Sequence, residues 1–589
     1  MDTSHAEKSF FTAFKLQLKI AIRSFKERQL LLFWIFCAGL LVSTVIMLAE
    51  INNKFLVAIP AYGGKIDEGI IGTPRFINPL LAVSDADRDL TSLIYSGLMK
   101  RDERGEIVPD LAEDFSVSPN GLVYTVRIKS NAVFHDGVPV TADDVIYTIT
   151  EATDPLIKSP KRVNWEGVLI RKVDEMTVAF ELKKPYAPFI ENLTLGILPS
   201  HIWKNVGPDE FSFSDWNINA IGSGPYKIHD ITRKSSGIPG IYTLSPFTNY
   251  ANNPAHIRRL AIHFYSNEKD LLRALQSGEV AQVNAISPEH AHELAQSGYE
   301  IKTTVLPRVF GLFFNQNENK IFTDKKVIQA FNVAIDKQKI IEEVLSGYGV
   351  MLASPIPPHL LDNNVISGDT ASIENIYNPT QATEILTKDG WKMGPDGVLI
   401  KGSGKTAVRL HFSIATGDSP ELRGAAKIIE DNLRSIGAEV ETKVFEIGTL
   451  NQNVIRTRKY DALFFGQVVT HESDLMAFWH SSQRNDPGLN IAMYANPKTD
   501  KLLESALTTL DETARNQKFI QFEEEIKNDL PAIFVYSPQF IYVTKKDVSS
   551  QSLGALTLPS DRFSTITDWY IEKDYVWNFF LPRNEVAID

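Results

Sequence analysis

An uncharged apolar run near the amino terminus, residues 30–49, constrains the fold more than any other stretch of the sequence. Its length of about 20 residues is what an α-helix needs to cross the hydrocarbon core of a membrane. Six lysines and arginines precede the run, against three acidic residues. The positive-inside rule therefore predicts a cytoplasmic tail at residues 1–29 and an extracytoplasmic remainder, which follows a short tether at residues 50–62.

Two other interpretations of this run compete with an uncleaved anchor. A cleaved signal peptide normally has a shorter apolar core than residues 30–49 provide. A lipoprotein signal would make Cys37 the modified residue, but the bulky Phe36 precedes it where such signals carry a small side chain. We therefore expect a single-pass transmembrane anchor.

The predicted cytoplasmic tail has an apolar helical face with lysines and arginines beside it. The apolar side chains are Phe10, Phe14, Leu18, Ile22 and Phe25. A basic amphipathic helix of this kind can lie on the inner leaflet of the membrane. Alternatively, the positive charges only fix the topology, and the sequence leaves both interpretations open.

The length and charge of the chain limit what lies outside the membrane. A chain of 589 residues is too long for one hydrophobic core, and about three or four domains are expected. The net charge of −12 argues against a nucleic-acid partner, which would require a basic face. The single cysteine, Cys37, excludes an intrachain disulfide and a cysteine-built metal site.

Residues 107–149 contain several local structural signals in succession. Asn120-Gly121 and Asp136-Gly137 are turn pairs, because these residue types tolerate a positive φ. Between them, residues 124–128 alternate between apolar and polar side chains, which is the period of a half-buried strand. Thr141, followed three residues later by Asp144, forms a capping box that opens a helix.

Taken together, residues 107–149 resemble the signature of extracytoplasmic solute-binding proteins of the dipeptide, oligopeptide and nickel-binding family, family 5 of the ABC-transporter binding proteins. Other stretches resemble the same family, namely residues 185–189, the IGSGPY box at 221–226, residues 378–382 and Gly390-Trp391. The resemblance implies an α/β fold with two lobes, of the type II periplasmic-binding-protein kind with an extra subdomain. One transmembrane helix precedes it.

The resemblance also implies a domain organisation. Lobe 1 is expected at residues 63–300, with the subdomain at 95–212, and lobe 2 at residues 301–540. The last stretch, 541–589, is expected to return to lobe 1 and end in a carboxyl-terminal tail. Ligand would bind between the lobes and be enclosed by hinge closure.

The sequence lacks a complete catalytic constellation. Residues 402–406 look like part of a P-loop, but the required first glycine is replaced by Leu399. His471-Glu472 begins like a zinc-protease helix, but Leu475 occupies the position of the second histidine. We therefore predict neither an enzyme nor a bound metal or cofactor.

The ligand is expected near residues 460–480, which resemble a cleft-lining block of the family. In peptide-binding members the aspartate of this block pairs with the α-ammonium group of the ligand, and the corresponding residue is Asp474. A carboxylate in a closed cleft of low dielectric constant attracts an ammonium group more strongly than in water. Leu475 and Gln467 replace the usual proline and tryptophan, which leaves the ligand class open, and Asp474 could instead be a loop acid or a helix cap.

Further candidate ligand contacts follow from the same resemblance. Phe314, Asn315 and Gln316 occupy the strand that lines the cleft in the family, with Asn315 and Gln316 expected to contact the peptide backbone. Trp479 and Tyr494 are candidate aromatic walls, although core packing explains either equally well.

The sequence thus predicts a membrane-anchored, extracytoplasmic protein that captures peptides and delivers them to a separate ABC permease with its ATPase subunits. Three alternatives remain open. The same fold could bind a non-peptide solute such as a sugar or a metal chelate, or the chain could be a ligand sensor or a membrane-anchored hydrolase.

Overall fold

A computed structural model describes residues 24–358, 360–361, 377–545, 548–549 and 551–580, together with residues 12–13, 15–17, 19–20 and 22. The chain divides into two units. One consists of Met1–Ala61 with Glu572–Asp589, and the other of Tyr62–Ile571.

The helices are α1 Glu27–Phe55, α2 Asp85–Ile94, α3 Ala142–Thr153, α4 Arg162–Trp165, α5 Phe189–Asn192, α6 Ser200–Trp203, α7 Glu268–Ser277, α8 Pro288–Gln296, α9 Lys325–Ala334, α10 Lys337–Val344, α11 Pro379–Lys388, α12 Pro420–Ser435, α13 Ile447–Thr449, α14 Glu472–Trp479, α15 Pro497–Thr508 and α16 Glu512–Asp529. The strands are β1 Leu56–Pro60, β2 Gly63–Ile71, β3 Met99–Arg101, β4 Ile107–Pro109, β5 Ala112–Val117, β6 Val123–Ile128, β7 Leu169–Asp174, β8 Thr177–Glu181, β9 Tyr226–Arg233, β10 Pro239–Pro246, β11 Ile257–Tyr265, β12 Gln282–Asn284, β13 Glu300–Val305, β14 Arg308–Phe314, β15 Gly349–Met351, β16 Trp391–Met393, β17 Leu399–Lys401, β18 Val408–Arg409, β19 His411–Gly417, β20 Glu439–Phe445, β21 Ala462–Val468, β22 Ala532–Thr544 and β23 Lys573–Trp577.

The first unit is built on α1, which contains the whole apolar run and buries none of its side chains. Among the described residues it is the helix that is long and apolar enough to cross a membrane. The helix continues to Phe55, and β1 follows it and pairs antiparallel with β23. The stretch predicted as a tether thus begins with the end of the helix, at residues 50–55, and continues as a strand at residues 56–60.

The predicted amphipathic face of the tail depends largely on Phe10, Phe14 and Leu18, which lie outside the described residues. Of the two residues of this face that are described, Ile22 is partly buried and Phe25 is exposed.

Lobe 1 of the second unit surrounds β2, which runs parallel to both β11 and β12, while β10 and β9 continue the sheet antiparallel. The four-stranded sheet β5-β6-β8-β7 lies within the predicted subdomain boundaries. Side chains from residues 66–264 form one hydrophobic cluster, and residues 548–569 contribute to the same cluster. Residues 548–569 thus return to the core of lobe 1.

Lobe 2 is an α/β layer in which α12 connects the parallel strands β19 and β20, and β21 pairs parallel with β19. Its core is formed by side chains from residues 312–464 and 533–536.

The two lobes are joined by strands that pass between them side by side. The first half of β22 pairs with β14 in lobe 2, and its second half pairs with β12 and β13 in lobe 1. At the crossing, the Leu306 amide donates to the Pro538 carbonyl at 3.0 Å, and the Ser537 hydroxyl donates to the Leu306 carbonyl at 2.6 Å. One continuous sheet path therefore runs through both lobes.

A buried ion cluster attaches the carboxyl-terminal return to lobe 1. The guanidinium of Arg562, which is fully buried, lies 2.6 Å from Glu68 on β2 and 2.6 Å from Asp89 on α2. The Tyr542 hydroxyl on β22 donates to the second oxygen of Glu68 at 2.8 Å. The cluster thus links four segments that are far apart in the chain.

The local signals in residues 107–149 are confirmed. Gly121 and Gly137 have φ values of 69° and 90°, which glycine tolerates best. Asp144 accepts hydrogen bonds from the Thr141 amide at 2.8 Å and the Thr141 hydroxyl at 2.9 Å, so the predicted capping box opens α3.

Candidate functional site

A cavity of about 430 Å³ is enclosed by three parts of the second unit. Lobe 1 contributes Tyr95 and Lys161, the carboxyl-terminal return contributes Asp561, and lobe 2 contributes Thr470 and His471 from the loop before α14. We call it the cleft cavity, because its walls come from both lobes.

A second cavity of about 430 Å³ adjoins it and is called the side cavity. The two cavities share Glu191 and His471 in their walls. The side cavity is further lined by Tyr186 of the subdomain and by Asp474 on the first turn of α14. The amino-terminal end of α14 thus faces both spaces.

The two lobes touch directly between these cavities. Nε2 of His471 lies 3.1 Å from Oε2 of Glu191, which is in the first turn of α5 in lobe 1. The guanidinium of Arg101 lies 3.5 Å from the same carboxylate oxygen. An imidazole and a guanidinium therefore share one carboxylate at the lobe boundary.

Asp474 combines a structural contact with a position on the cavity wall. Its Oδ2 accepts hydrogen bonds from the Thr470 and His471 amides at 2.8 and 2.9 Å. These bonds satisfy backbone donors at the start of α14, where His471 is the N-cap and Asp474 is the third helical residue of a capping box. Burial disfavours the carboxylate, but the hydrogen bonds and charge of His471 outweigh burial and lower the pKa of Asp474. An ionised carboxylate therefore lines the side cavity.

The neighbouring acid, Glu472, is neutralised within the protein. Its Oε2 lies 2.8 Å from the guanidinium of Arg515, and both side chains are largely buried. Burial raises the pKa of Glu472, and the charge of Arg515 opposes that shift. Asp474, by contrast, has His471 as its nearest ionisable partner in the described part of the chain, at 3.7 Å. Of the two acids, Asp474 is the one available to a ligand cation.

The cleft cavity has cationic and hydroxyl groups in its wall. Arg88 and Lys161 both line it, and burial together with the positive charge of Arg88 lowers the pKa of Lys161. The hydroxyls of Thr91 and Tyr95 are buried there without a hydrogen-bond partner among the described residues. An anionic group bound in this cavity would offset the repulsion between the two cations and would accept hydrogen bonds from the hydroxyls.

A third cavity, of about 370 Å³, lies beside α14 in lobe 2 and is mainly apolar. Phe465, Phe478 and Ile447 line it, and so does Gln467, whose buried amide has no partner among the described residues. Phe478 follows Asp474 by four residues, which places both on the same face of α14. We call this space the apolar cavity.

Several predicted contact residues are core residues instead. Phe314 is fully buried against Phe322, with ring centroids 4.7 Å apart. The amide of Asn315, also buried, donates to the Arg458 carbonyl at 2.8 Å and supports a turn. Phe314 ends β14, a central strand with β21 and β22 at its edges, and packs into the core of lobe 2. Neither Phe314 nor Asn315 lines a cavity described above.

The two aromatic candidates are also explained by packing. Trp479 is fully buried against Phe534, with ring centroids 5.8 Å apart. The Tyr494 hydroxyl donates to Asp529 at 2.7 Å. Gln316 is partly buried, and its carbonyl accepts from Lys320 at 3.1 Å. None of these three residues lines the cavities described above.

Comparison with known proteins gives a family match over most of the chain. The model of the bacterial extracellular solute-binding proteins, family 5 Middle, matches residues 106–487. The oligopeptide-binding protein AppA of Bacillus subtilis (strain 168) is 29% identical over 488 residues, which cover 81% of this chain and 87% of AppA.

Solved structures show the same architecture. AppA from Bacillus subtilis in complex with a nonapeptide superposes with a TM-score of 0.64 at 26% identity, covering 87% of this chain and 100% of that chain. The ABC transporter substrate-binding protein CtaP from Listeria monocytogenes superposes with a TM-score of 0.72 at 22% identity, covering 87% and 99%. The predicted two-lobed α/β binding-protein fold is therefore confirmed.

Proposed function

We propose that this chain, which belongs to the bacterial extracellular solute-binding proteins of family 5, captures peptides between its lobes and delivers them to an ABC permease. Membership of the family, first indicated by residues 107–149, rests on a match that spans more than half of the chain. The observation that carries the peptide assignment is the ionised Asp474 on the wall of the side cavity.

The chemistry of the three cavities suits the three parts of a short peptide. Asp474 anchors the α-ammonium group through a charge-assisted hydrogen bond. Lys161 and Arg88 attract the carboxylate end, and the hydroxyls in the same wall supply further donors. A side chain of the peptide enters the apolar cavity beside Phe478.

The proposed location is the outer face of the membrane. Family 5 binding proteins are extracytoplasmic, and α1 serves in this proposal as an uncleaved single-pass anchor at residues 30–49. The permease and its ATPase subunits are separate chains. The protein itself performs no chemistry on the peptide and is not an enzyme.

Thermal unfolding of the purified full chain in detergent tests the proposal. Short peptides with a free amino terminus should raise the melting temperature, and the same peptides with an acetylated terminus should raise it much less. No shift across a diverse peptide library would overturn the peptide assignment. Mass spectrometry of peptides incubated with the protein checks that they remain intact, and cleavage products would instead favour a hydrolase.

A non-peptide solute is the second candidate, because the buried amide of Gln467 lacks a partner among the described residues. A polar solute that satisfies this amide would bind in the apolar cavity. Native mass spectrometry of the protein with any co-purified ligand distinguishes the two candidates by the mass of that ligand.

A further inference from the structure

The first unit carries a cluster of exposed aromatic side chains where β23 meets the end of α1. The cluster consists of Phe55, Trp577, Phe579 and Phe580. Their exposed fractions are 40%, 40%, 59% and 71%, respectively. Adjacent rings lie close together, with centroid distances of 5.2 Å for Trp577 and Phe579 and 4.7 Å for Phe579 and Phe580. Exposed apolar groups concentrated in this way mark an interaction surface.

The aromatic cluster is fixed to the helix by specific contacts. Nε1 of Trp577 donates a hydrogen bond to Oδ1 of Asn52 at 2.8 Å. The rings of Phe55 and Phe579 have centroids 6.3 Å apart. In the β1–β23 pairing, Trp577 lies opposite Leu56, the residue directly after the helix. The cluster therefore has a defined height above the apolar run of α1.

That height matches the headgroup layer of a membrane. Asn52 is three residues beyond Ala49, the last residue of the apolar run, which places it about 4.5 Å further along the helix axis. Phe55 is six residues beyond Ala49, or about 9 Å along the axis. The polar layer on each side of the hydrocarbon core is about 5–7 Å thick. The indole nitrogen of Trp577, which bonds to Asn52, is thus level with this layer, and Phe55 lies just beyond its outer edge.

The polarity of β23 changes along the strand in the direction that a membrane surface requires. Its first residues, Lys573 and Asp574, pair with Pro60 and Ile59, at the end of β1 that is remote from the helix. Its last residue is Trp577, and the two phenylalanines follow beside the helix. The charged residues of β23 therefore lie remote from the apolar run of α1, and its terminal tryptophan lies beside the helix.

We propose that the aromatic cluster docks into the outer phospholipid headgroup layer and gives the protein a second membrane contact at its carboxyl-terminal end. Tryptophan is favoured at this depth, because its ring is amphipathic and its N–H remains hydrogen-bonded. The occupant of the surface is lipid, since the cluster is continuous with a helix of membrane-spanning length. The inference rests on the proposed anchoring of α1.

Lipid quenching of tryptophan fluorescence tests this docking. The full chain is reconstituted into phosphatidylcholine vesicles whose acyl chains are brominated close to the headgroup. Three variants are compared with the parent chain: Trp577→Phe, Trp34→Phe in α1, and Trp216→Phe. Trp216 is the matched control, because it belongs to the second unit and is 36% exposed, similar to Trp577.

If only Trp34 and Trp577 contact lipid, Trp577→Phe should remove roughly half of the lipid-quenchable emission, because interfacial tryptophans lie within reach of the bromine atoms. Trp216→Phe should leave that emission unchanged. The docking is overturned if Trp577→Phe, like Trp216→Phe, leaves the lipid-quenchable emission unchanged while Trp34→Phe reduces it. In that case the anchor is still supported.

If neither Trp34→Phe nor Trp577→Phe reduces the lipid-quenchable emission, then neither tryptophan contacts lipid. That result overturns the anchor as well as the docking. Shielding of Trp577 from an aqueous quencher in native membranes, but not in pure lipid vesicles, assigns the aromatic cluster to a protein partner and also overturns the proposal.

Discussion

Nε2 of His471 lies 3.1 Å from Oε2 of Glu191, and this contact joins lobe 2 to lobe 1 between two cavities. The remaining links between the lobes described above are the covalent crossings and the hydrogen bonds between the crossing strands. The contact between His471 and Glu191 is therefore positioned to report on the separation of the lobes.

Replacing His471 with alanine should weaken peptide binding by about fivefold, because a partly exposed polar contact of this kind is worth about 1 kcal/mol. Calorimetry with a peptide identified by thermal unfolding measures the change. The matched control is His411→Ala, since His411 pairs with Glu439 at 3.3 Å within lobe 2 alone. Equal losses in the two variants would contradict a role for His471 between the lobes.

Asp474→Asn separates the two contributions of this residue. Asparagine keeps an oxygen acceptor for the amides at the start of α14, so the melting temperature should change little. Loss of the charge should weaken peptides with a free amino terminus by about 1.5–3 kcal/mol, with little change for acetylated peptides. Equal weakening of both peptide forms would argue against an ammonium contact at Asp474.

Glu472→Gln provides the contrast to this variant. It removes the ionic partner of the largely buried Arg515, and should lower stability more than Asp474→Asn does. Its effect on peptide binding should not depend on acetylation of the peptide.

Lys161→Met should reduce discrimination between peptides with a free carboxylate and the corresponding amides. Methionine fills a similar volume but carries no charge. Of the two cations Arg88 and Lys161 in the wall of the cleft cavity, the variant therefore keeps only Arg88. Paired titrations with free and amidated peptides measure the effect. Unchanged discrimination would place the carboxylate of the peptide elsewhere.

Arg562→Met should lower the free energy of unfolding by about 3–5 kcal/mol, because it leaves two buried acids without their cation. Urea unfolding of the full chain in detergent gives the measurement. Arg171→Met, which removes an exposed ion pair with Glu181, should cost less than about 1 kcal/mol. Similar costs for the two variants would mean that the Arg562 cluster does not stabilise lobe 1.

His135 should make the protein less stable in acid. Burial lowers the pKa of His135 from 6.5 to about 4, and Nε2 lies 3.1 Å from the Gly224 carbonyl while Nδ1 accepts from the Gly222 amide. Between these pH values the unfolded chain binds more protons, so stability falls as the pH decreases from 6.5 to 4. The pH dependence of unfolding should be shallower in His135→Gln than in His201→Gln, the control with a partly exposed histidine. Equal pH dependence would contradict this assignment.

Signals confined to a few neighbouring residues could be predicted from the sequence. The capping box of Thr141 and Asp144 and the turns at Gly121 and Gly137 depend on local hydrogen bonds and dihedral angles. The helix cap at Asp474 belongs to the same class, and the sequence left it as an open alternative.

Contacts between distant segments could not be predicted in this way. Glu191 and His471 are 280 positions apart, and no local pattern connects them. The same holds for Arg562, whose partners Glu68 and Asp89 precede it by more than 400 residues. Phe314 was assigned to the cleft from the family resemblance, and the resemblance does not reveal that its side chain packs into the core of lobe 2.

The shared strand β22 has a consequence for how the chain matures. Lobe 1 lacks a strand of its sheet until residues 539–544 are available, and its hydrophobic cluster is completed only by residues 548–569. During export from the cytoplasm, the amino-terminal lobe is therefore the last to be finished, although its first residues emerge first. The core of lobe 2 uses no described residue after 536, so residues 539–569 are the segment on which completion of lobe 1 alone depends.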